Sequence, residues 1–284
     1  MYSNKNQKGN DMEKGFKIGA VQLMTEADFD RTALRMRELV KEAADKGADV
    51  VLLPEMWSCL YSGKYFALAR ERGHEEAYDI MSTAAKENNI LLVGGSMPEV
   101  VDGRMYNTCF IFGKDGTEFA RHRKIHLFDV DLPGMRFKES DTFCPGEEPT
   151  VFKTDLGTFG AAICFDIRFP ELFRLMANRG AEVIFLPAQF NMTTGPAHWE
   201  TTLRARAIDN QVYFAACAAA ATPGFGYECW GHSMIIDPYG TVLTGCGQEE
   251  TVIYAEINPE RINEVRRQLP TSQHLRENIY NVAK

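Results

Sequence analysis

Two stretches far apart in this chain read alike, and the likeness limits what it can fold into. Gly47-Ala48-Asp49-Val50-Val51-Leu52-Leu53-Pro54-Glu55 resembles Gly180-Ala181-Glu182-Val183-Ile184-Phe185-Leu186-Pro187-Ala188. Each follows a stretch of helical period, over Ala27 to Lys46 and over Pro170 to Arg179. Each of those follows a small-residue run, Ile18-Gly19-Ala20-Val21-Gln22 and Ala161-Ala162-Ile163-Cys164. The order is β-α-β. Strands that are apolar throughout, rather than alternating, are buried on both faces, the property of a parallel sheet covered by helices. The parallel continues with helices over Glu75 to Glu87 and Pro196 to Asp209, then strands over Ile90 to Ser96 and Val212 to Cys217. Hairpins follow in both halves, Asn107 to Phe112 turning at Lys114-Asp115-Gly116, and His232 to Ile236 turning at Pro238-Tyr239-Gly240. Gly supplies the positive φ that such turns demand. Two halves of one plan bury most surface by stacking their sheets back to back. The expected fold is α/β, a four-layer α-β-β-α sandwich of two pseudo-symmetric halves.

No interior segment is rich in Pro, Gly or Ser, so residues 16–284 read as a single domain. Its tail opens with a helix, Pro259 to Gln268, which Pro270 ends; an extended arm, Thr271 to Lys284, is of a kind that covers a partner subunit. Met1 to Gly15 is polar, lacks the apolar centre of a secretory signal and reads as a disordered leader. No uncharged run is long enough to cross a bilayer. The net charge of −8 argues against nucleic acid and anionic membrane as partners, since the densest basic run, Arg121 to Lys124, is short. Seven cysteines without a CxxC pair argue against a disulfide framework or a zinc ribbon and fit a reducing, cytoplasmic setting.

Ligands in open α/β sheets bind beyond the carboxyl ends of strands. Glu55 and Cys164 both stand there on this reading. The halves differ at these positions: Ala188 matches Glu55, and Gln22 matches Cys164. A structural role would be duplicated, so the asymmetry suggests one base and one nucleophile in a shared site. Each residue has a plainer reading beside the functional one. Cys164 reads as an inert buried thiol or as a nucleophile needing an activating base. Glu55 reads as a loop charge or as an enclosed general base. Lys124, in Arg121-His122-Arg123-Lys124-Ile125-His126, reads as a solvated lysine or as an ammonium for an oxyanion, with the Phe165 N–H as second donor. No histidine lies near Cys164 in sequence. His122 and His126 stand four apart but lack the following glutamate of a zinc helix, so no metal is expected.

Leu53-Pro54-Glu55, Arg123-Lys124-Ile125-His126 and Ile163-Cys164-Phe165-Asp166 resemble the Glu-Lys-Cys triad of the nitrilase superfamily of carbon–nitrogen hydrolases. Lys124 to Asp131 and Phe190 to Glu200 are similar to its omega-amidase branch. The resemblance implies Cys164 as nucleophile, Glu55 as base and acid, Lys124 as oxyanion stabiliser and Glu139 as a second glutamate of the pocket. It also implies the four-layer sandwich, a homodimer or larger homo-oligomer, and no cofactor. The implied substrate is a small-molecule amide, a dicarboxylate monoamide such as 2-oxoglutaramate or 2-oxosuccinamate. Its free carboxylate needs a cation, for which Arg168 is the candidate unless it pairs with Asp166 or Glu171. Thr194 and Gln189 complete the expected substrate contacts. N-carbamoyl amine or amino-acid hydrolysis by the same triad is the neighbouring reading, and a catalytically silent thiol-sensing or interaction protein is the rival from another class.

Overall fold

The small-residue strands pair as their burial requires. The computed structural model describes residues 14–276 and residue 279, apart from residues 133, 134, 223, 225 and 226. In chain order the first half contains β1 (Phe16–Gln22), α1 (Phe29–Asp45), β2 (Val50–Leu52), α2 (Gly63–Arg72), α3 (Glu75–Asn88), β3 (Leu91–Val93), β4 (Met97–Val101), β5 (Arg104–Phe112) and β6 (Glu118–Arg123). A short ribbon follows, β7 (Asp129–Leu132) and β8 (Met135–Lys138). The second half contains β9 (Thr150–Thr154), β10 (Gly157–Ala161), α4 (Pro170–Asn178), β11 (Val183–Ala188), α5 (Gly195–Asn210), β12 (Tyr213–Ala218), β13 (Met234–Ile236) and β14 (Val242–Gly245). The tail adds β15 (Thr251–Ile257) and α6 (Pro259–Gln268).

Among the described residues the two large sheets share one plan, of seven and six strands, the extra strand being β4 on β5. In one, β1, β2 and β3 run parallel and β5 returns antiparallel, with β6 paired to it. In the other, β10, β11 and β12 run parallel and β13 returns antiparallel, with β14 beside it. Each gains an antiparallel neighbour at its start, β15 on β1 and β9 on β10. Alternate residues of β1 and β2, Ile18, Ala20, Val50 and Leu52, point inward to a core shared with Phe159, Ala161 and Val183 of the facing sheet. Phe16 and Phe159 meet across it with ring centroids 5.5 Å apart. The other face of the first sheet packs Val51, Leu53 and Leu92 against Met36, Val40 and Ala43 of α1 and Met81 and Ala85 of α3. Phe173 and Met176 of α4 and Trp199 and Leu203 of α5 cover the second sheet. The layers are therefore helix, sheet, sheet, helix.

Local signals explain the helices. Asp28 caps α1 by accepting the Arg31 N–H, and Ala33, Met36, Val40 and Ala43 recur at three- and four-residue spacing on its buried side. Pro170, Pro196 and Pro259 stand at the starts of α4, α5 and α6, where a missing N–H costs nothing.

Four departures from expectation stand beside the added strands β4, β7, β8 and β9. The run ending at Cys164 is not strand to its end: β10 stops at Ala161, and Cys164–Arg168 form a 3-10 turn. The cause is Asp166, whose carboxylate accepts the Ile163 N–H at 2.9 Å and bends the chain off the sheet. The second departure is α2, which sequence periodicity does not reveal. The third is β15, which returns from the end of the chain to complete the first sheet. The fourth is the arm after Pro270, where residues 271–274 form a turn instead of extended chain. The rest of that arm, residues 277, 278 and 280–284, and residues 1–13 of the leader lie outside the described residues.

Candidate active site

Two tight turns carry the acid and the thiol. Glu55 follows β2 by three residues, and the next residue, Met56, has φ of 50°. Cys164 follows β10 and has φ of 45°. Left-handed backbone is costly for a residue with a Cβ and collects at functional sites, where surrounding contacts enforce it. Ser96 enforces the first turn. Its N–H donates to Pro54 O at 3.1 Å, its hydroxyl accepts the Met56 N–H at 3.1 Å, and its carbonyl accepts the Trp57 N–H at 3.1 Å. Gly95 passes beneath with φ of 62°, and a Cβ there would lie 2.9 Å from the Leu53 Cβ and against the Pro54 carbonyl. Gly95→Ala is expected to cost about 2–4 kcal/mol, from the left-handed backbone and overpacking together. Urea unfolding checks this, and activity should fall with stability because the displaced turn carries Glu55.

Lys124 is the first residue after β6 and is wholly buried. Its ammonium donates to Glu55 Oε1 and to Glu139 Oε2, each at 2.8 Å. Glu139 lies in the 3-10 turn after β8 and also accepts the Phe128 N–H at 2.7 Å. Asn107 of β5 ties the two carboxylates together, its amide donating to Glu55 Oε1 at 2.9 Å and Glu139 Oε1 at 3.0 Å. Glu55 Oε2 is left buried without a hydrogen-bond partner. The Cys164 thiol interacts with this carboxylate and lies 3.8 Å from Gln189 O. The structure thus brings Glu55, Lys124, Glu139 and Cys164 to one buried point.

The electrostatics follow from burial and charge. Burial raises the Glu55 carboxyl above its ordinary value, the Glu139 charge adds to this, and the Lys124 ammonium opposes it. Burial and the Glu55 charge push the Cys164 thiol well up, with Lys124 again opposing. Burial alone would lower Lys124, but the two carboxylates more than reverse it, so its ammonium stays charged. A thiol held protonated beside a carboxylate of raised basicity is an arrangement in which the carboxylate can accept the proton of an attacking sulfur.

The Cys164 thiol opens on a narrow cleft lined by Phe128, Phe165, Arg168, Gln189, Phe190, Thr194 and Tyr227. The Phe165 N–H takes no acceptor among the described residues. Arg168 is half-buried against the rings of Phe165 and Phe190. The pairing with Asp166 or Glu171 that the sequence allows is not made; its contact is with His198 Nδ1 at 3.3 Å. The expected roles of Gln189 and Thr194 change in form. The Gln189 side-chain N–H donates to Glu55 O at 2.6 Å and its Oε1 accepts from the Cys229 thiol at 3.5 Å, while its main-chain carbonyl accepts from the Tyr227 hydroxyl at 2.6 Å. Its side chain braces the Glu55 turn and is not free for substrate. Thr194 lines the cleft, with its N–H and hydroxyl both directed to Asn191 Oδ1, at 2.9 Å and 3.1 Å.

His122 and His126 do not line the cleft beside Cys164. Their rings turn to Asp166, and among the described residues no His, Cys, Asp and Glu cluster is arranged to hold a metal ion. Asn107 and Tyr227 join the site without a motif to mark them, and Asp166 partners the two histidines where the sequence offers it only to Arg168. The signal for Asn107 was present, a lone amide in the strand Asn107-Thr108-Cys109-Phe110-Ile111-Phe112.

A buried acid, ammonium and thiol at the joined ends of two stacked α/β halves point to a hydrolase of carbon–nitrogen bonds. The chain belongs to that family: the profile described as carbon-nitrogen hydrolase matches residues 17–267. It is 46% identical over 268 residues to omega-amidase NIT2-A of Xenopus laevis, covering 94% of this chain and 97% of that protein. It is 42% identical over 268 residues to omega-amidase NIT2 of Homo sapiens, with the same shares covered. Among solved structures it is similar to Nit3 of Saccharomyces cerevisiae, a member of branch 10 of the nitrilase superfamily. That match has a TM-score of 0.84 and 35% identity, and covers 91% of this chain and 96% of the other.

Proposed function

We propose that this protein is an omega-amidase, hydrolysing the terminal carboxamide of a dicarboxylate monoamide to acid and ammonia through a Cys164 thioester. The observation that carries the chemistry is Lys124, held 2.8 Å from both Glu55 and Glu139 beside the thiol. Glu55 takes the thiol proton as the sulfur attacks the carboxamide carbon. Lys124 and the Phe165 N–H receive the oxyanion, and Glu139 and Asn107 keep Lys124 and Glu55 in place. The carbon–nitrogen bond breaks as Glu55 returns the proton to nitrogen, and ammonia leaves. Water then gives a proton to Glu55 and attacks the thioester; the acid departs and the thiol is restored.

Arg168 supports the substrate class. Burial draws its guanidinium down from the ordinary value, and it has no carboxylate partner among the described residues. A substrate carboxylate fills that need, with the Thr194 hydroxyl swinging from Asn191 as a second donor. The omega-amidase relatives at 42–46% identity point the same way. The reading extends to residues 16–284 as one domain in a reducing cytoplasm, in keeping with cysteines that are all free. It also takes the protein as a homodimer or larger, for which the exposed side chains of Ile208, Tyr239, Val242 and Leu243 offer an apolar surface. No helix among the described residues is long and apolar enough to cross a membrane.

The test is ammonia release across matched amides with and without a free carboxylate. Dicarboxylate monoamides should be turned over best. Arg168→Gln should raise their KM about 10–100-fold, the worth of a hydrogen bond to a charged group, and leave neutral amides within about threefold. No ammonia from any dicarboxylate monoamide would end the proposal.

A further inference from the structure

The buried carboxylate two residues beyond Cys164 is used by none of the steps above. Asp166 is wholly shielded from solvent and accepts four hydrogen bonds. Oδ2 accepts the Ile163 N–H at 2.9 Å and the His122 Nε2–H at 3.2 Å. Oδ1 accepts the His126 N–H at 2.9 Å and the His126 Nδ1–H at 2.8 Å. These donors come from two segments only. One precedes Cys164 by a single residue; the others stand two residues before and two after Lys124. The first segment leaves the second sheet and the other leaves the first sheet, so Asp166 joins the two halves directly behind the site.

We propose that Asp166, His122 and His126 form a positioning clamp that sets the Lys124 ammonium in register with the Cys164 thiol. A buried charge of this kind is a weak device for stability, because a well-packed apolar group serves as well. It is a strong device for geometry, since four directed bonds to one carboxylate leave little freedom to either segment. The histidines are spaced for this: residues two apart on an extended strand point to the same side, so His122 and Lys124 share an orientation. His126 then crosses back over the turn to the same carboxylate. None of the three lines the cleft. Their effect passes through Lys124 and Cys164, and the clamp rests on the catalytic roles proposed for those two.

His126 allows the clamp to be separated from plain packing. Its ring stacks on Phe169 with centroids 3.5 Å apart and planes 10° from parallel. His126→Phe keeps a ring for that stack and removes the donor to Asp166. His126→Asn keeps an N–H near the position of Nδ1 and removes the stack. With a dicarboxylate monoamide as substrate, His126→Phe should lower kcat about 10–100-fold and leave KM within about twofold. His126→Asn should stay within about fivefold of the parent kcat even if its thermal midpoint falls. The opposite order overturns the clamp, as does equal loss in both variants or a change confined to KM. Cys164→Ala, run alongside, separates the two readings. An active Cys164→Ala refutes the catalytic assignment itself, whereas an inactive Cys164→Ala beside a fully active His126→Phe refutes the clamp alone.

Discussion

Cys164→Ala should abolish turnover, with ammonia release falling at least about 10⁴-fold, while the fold persists. The size follows from the chemistry: removal of a covalent nucleophile leaves only the residual catalysis of oriented groups and oxyanion donors. The fold should survive because alanine is smaller and keeps the turn, and because the contacts that bend it belong to Asp166 and not to the sulfur. Near-ultraviolet dichroism and the thermal midpoint should therefore match the parent. Hydroxylamine gives the positive counterpart in the parent enzyme: an acyl-enzyme partitions to hydroxamate, and Cys164→Ala should form none. Substantial amidase activity in the variant would remove the thioester route.

Lys124→Met should combine the largest loss of stability with a large loss of rate. The ammonium sits wholly buried between Glu55 and Glu139, so methionine leaves two carboxylates facing each other without a cation. Breaking a buried pair by removing one partner costs about 3–5 kcal/mol. For a chain of this size that lowers the thermal midpoint by roughly 5–8 °C. Loss of an oxyanion donor costs about 10²–10³ in kcat. The pH dependence has a definite sign. The Lys124 proton affinity is raised in the folded state, so its contribution is fully present below the unfolded lysine value of about 10.4 and persists through neutral pH. In the variant, protonation of a carboxylate relieves the repulsion. Its stability deficit should therefore be greatest near pH 8 and shrink toward pH 5. Calorimetry across that range checks it, and a deficit independent of pH would mean that the charges do not interact as described.

The layers, and roughly where the strands before Glu55 and Cys164 emerge from them, were legible in the sequence for one reason. Strands buried on both faces lose their polar alternation, and the polar residue that follows marks where each strand emerges. Glu55 and Cys164 stand at such points, and the contrast with Ala188 and Gln22 in the opposite halves singled them out. Lys124 was legible through its motif, because burial of a lysine depends on groups that the local sequence does not show. What stayed hidden is non-local or directional. Asn107 and Asp166 matter through partners 32 to 52 residues away for the first and 40 to 44 for the second. Gln189 lines the cleft, and nothing in Ala188-Gln189-Phe190 says that its amide turns to the Glu55 carbonyl. The α2 helix carries Lys64, Arg70, Glu71 and Arg72 around few buried side chains, so its periodicity is weak. The pairing of β15 with β1 is a contact between opposite ends of the chain, beyond the reach of any local pattern.

That last pairing bears on how the protein is made. Phe16 to Gln22 find their partners in Ile257 to Thr251, residue against residue. During synthesis the first strand leaves the ribosome long before its neighbour exists. Until then its outer rim, with unpaired amides and carbonyls, is a template for other nascent chains. The closing segment thus finishes assembly of the amino-terminal half, and a chain cut short before Thr251 would carry an open, adhesive edge.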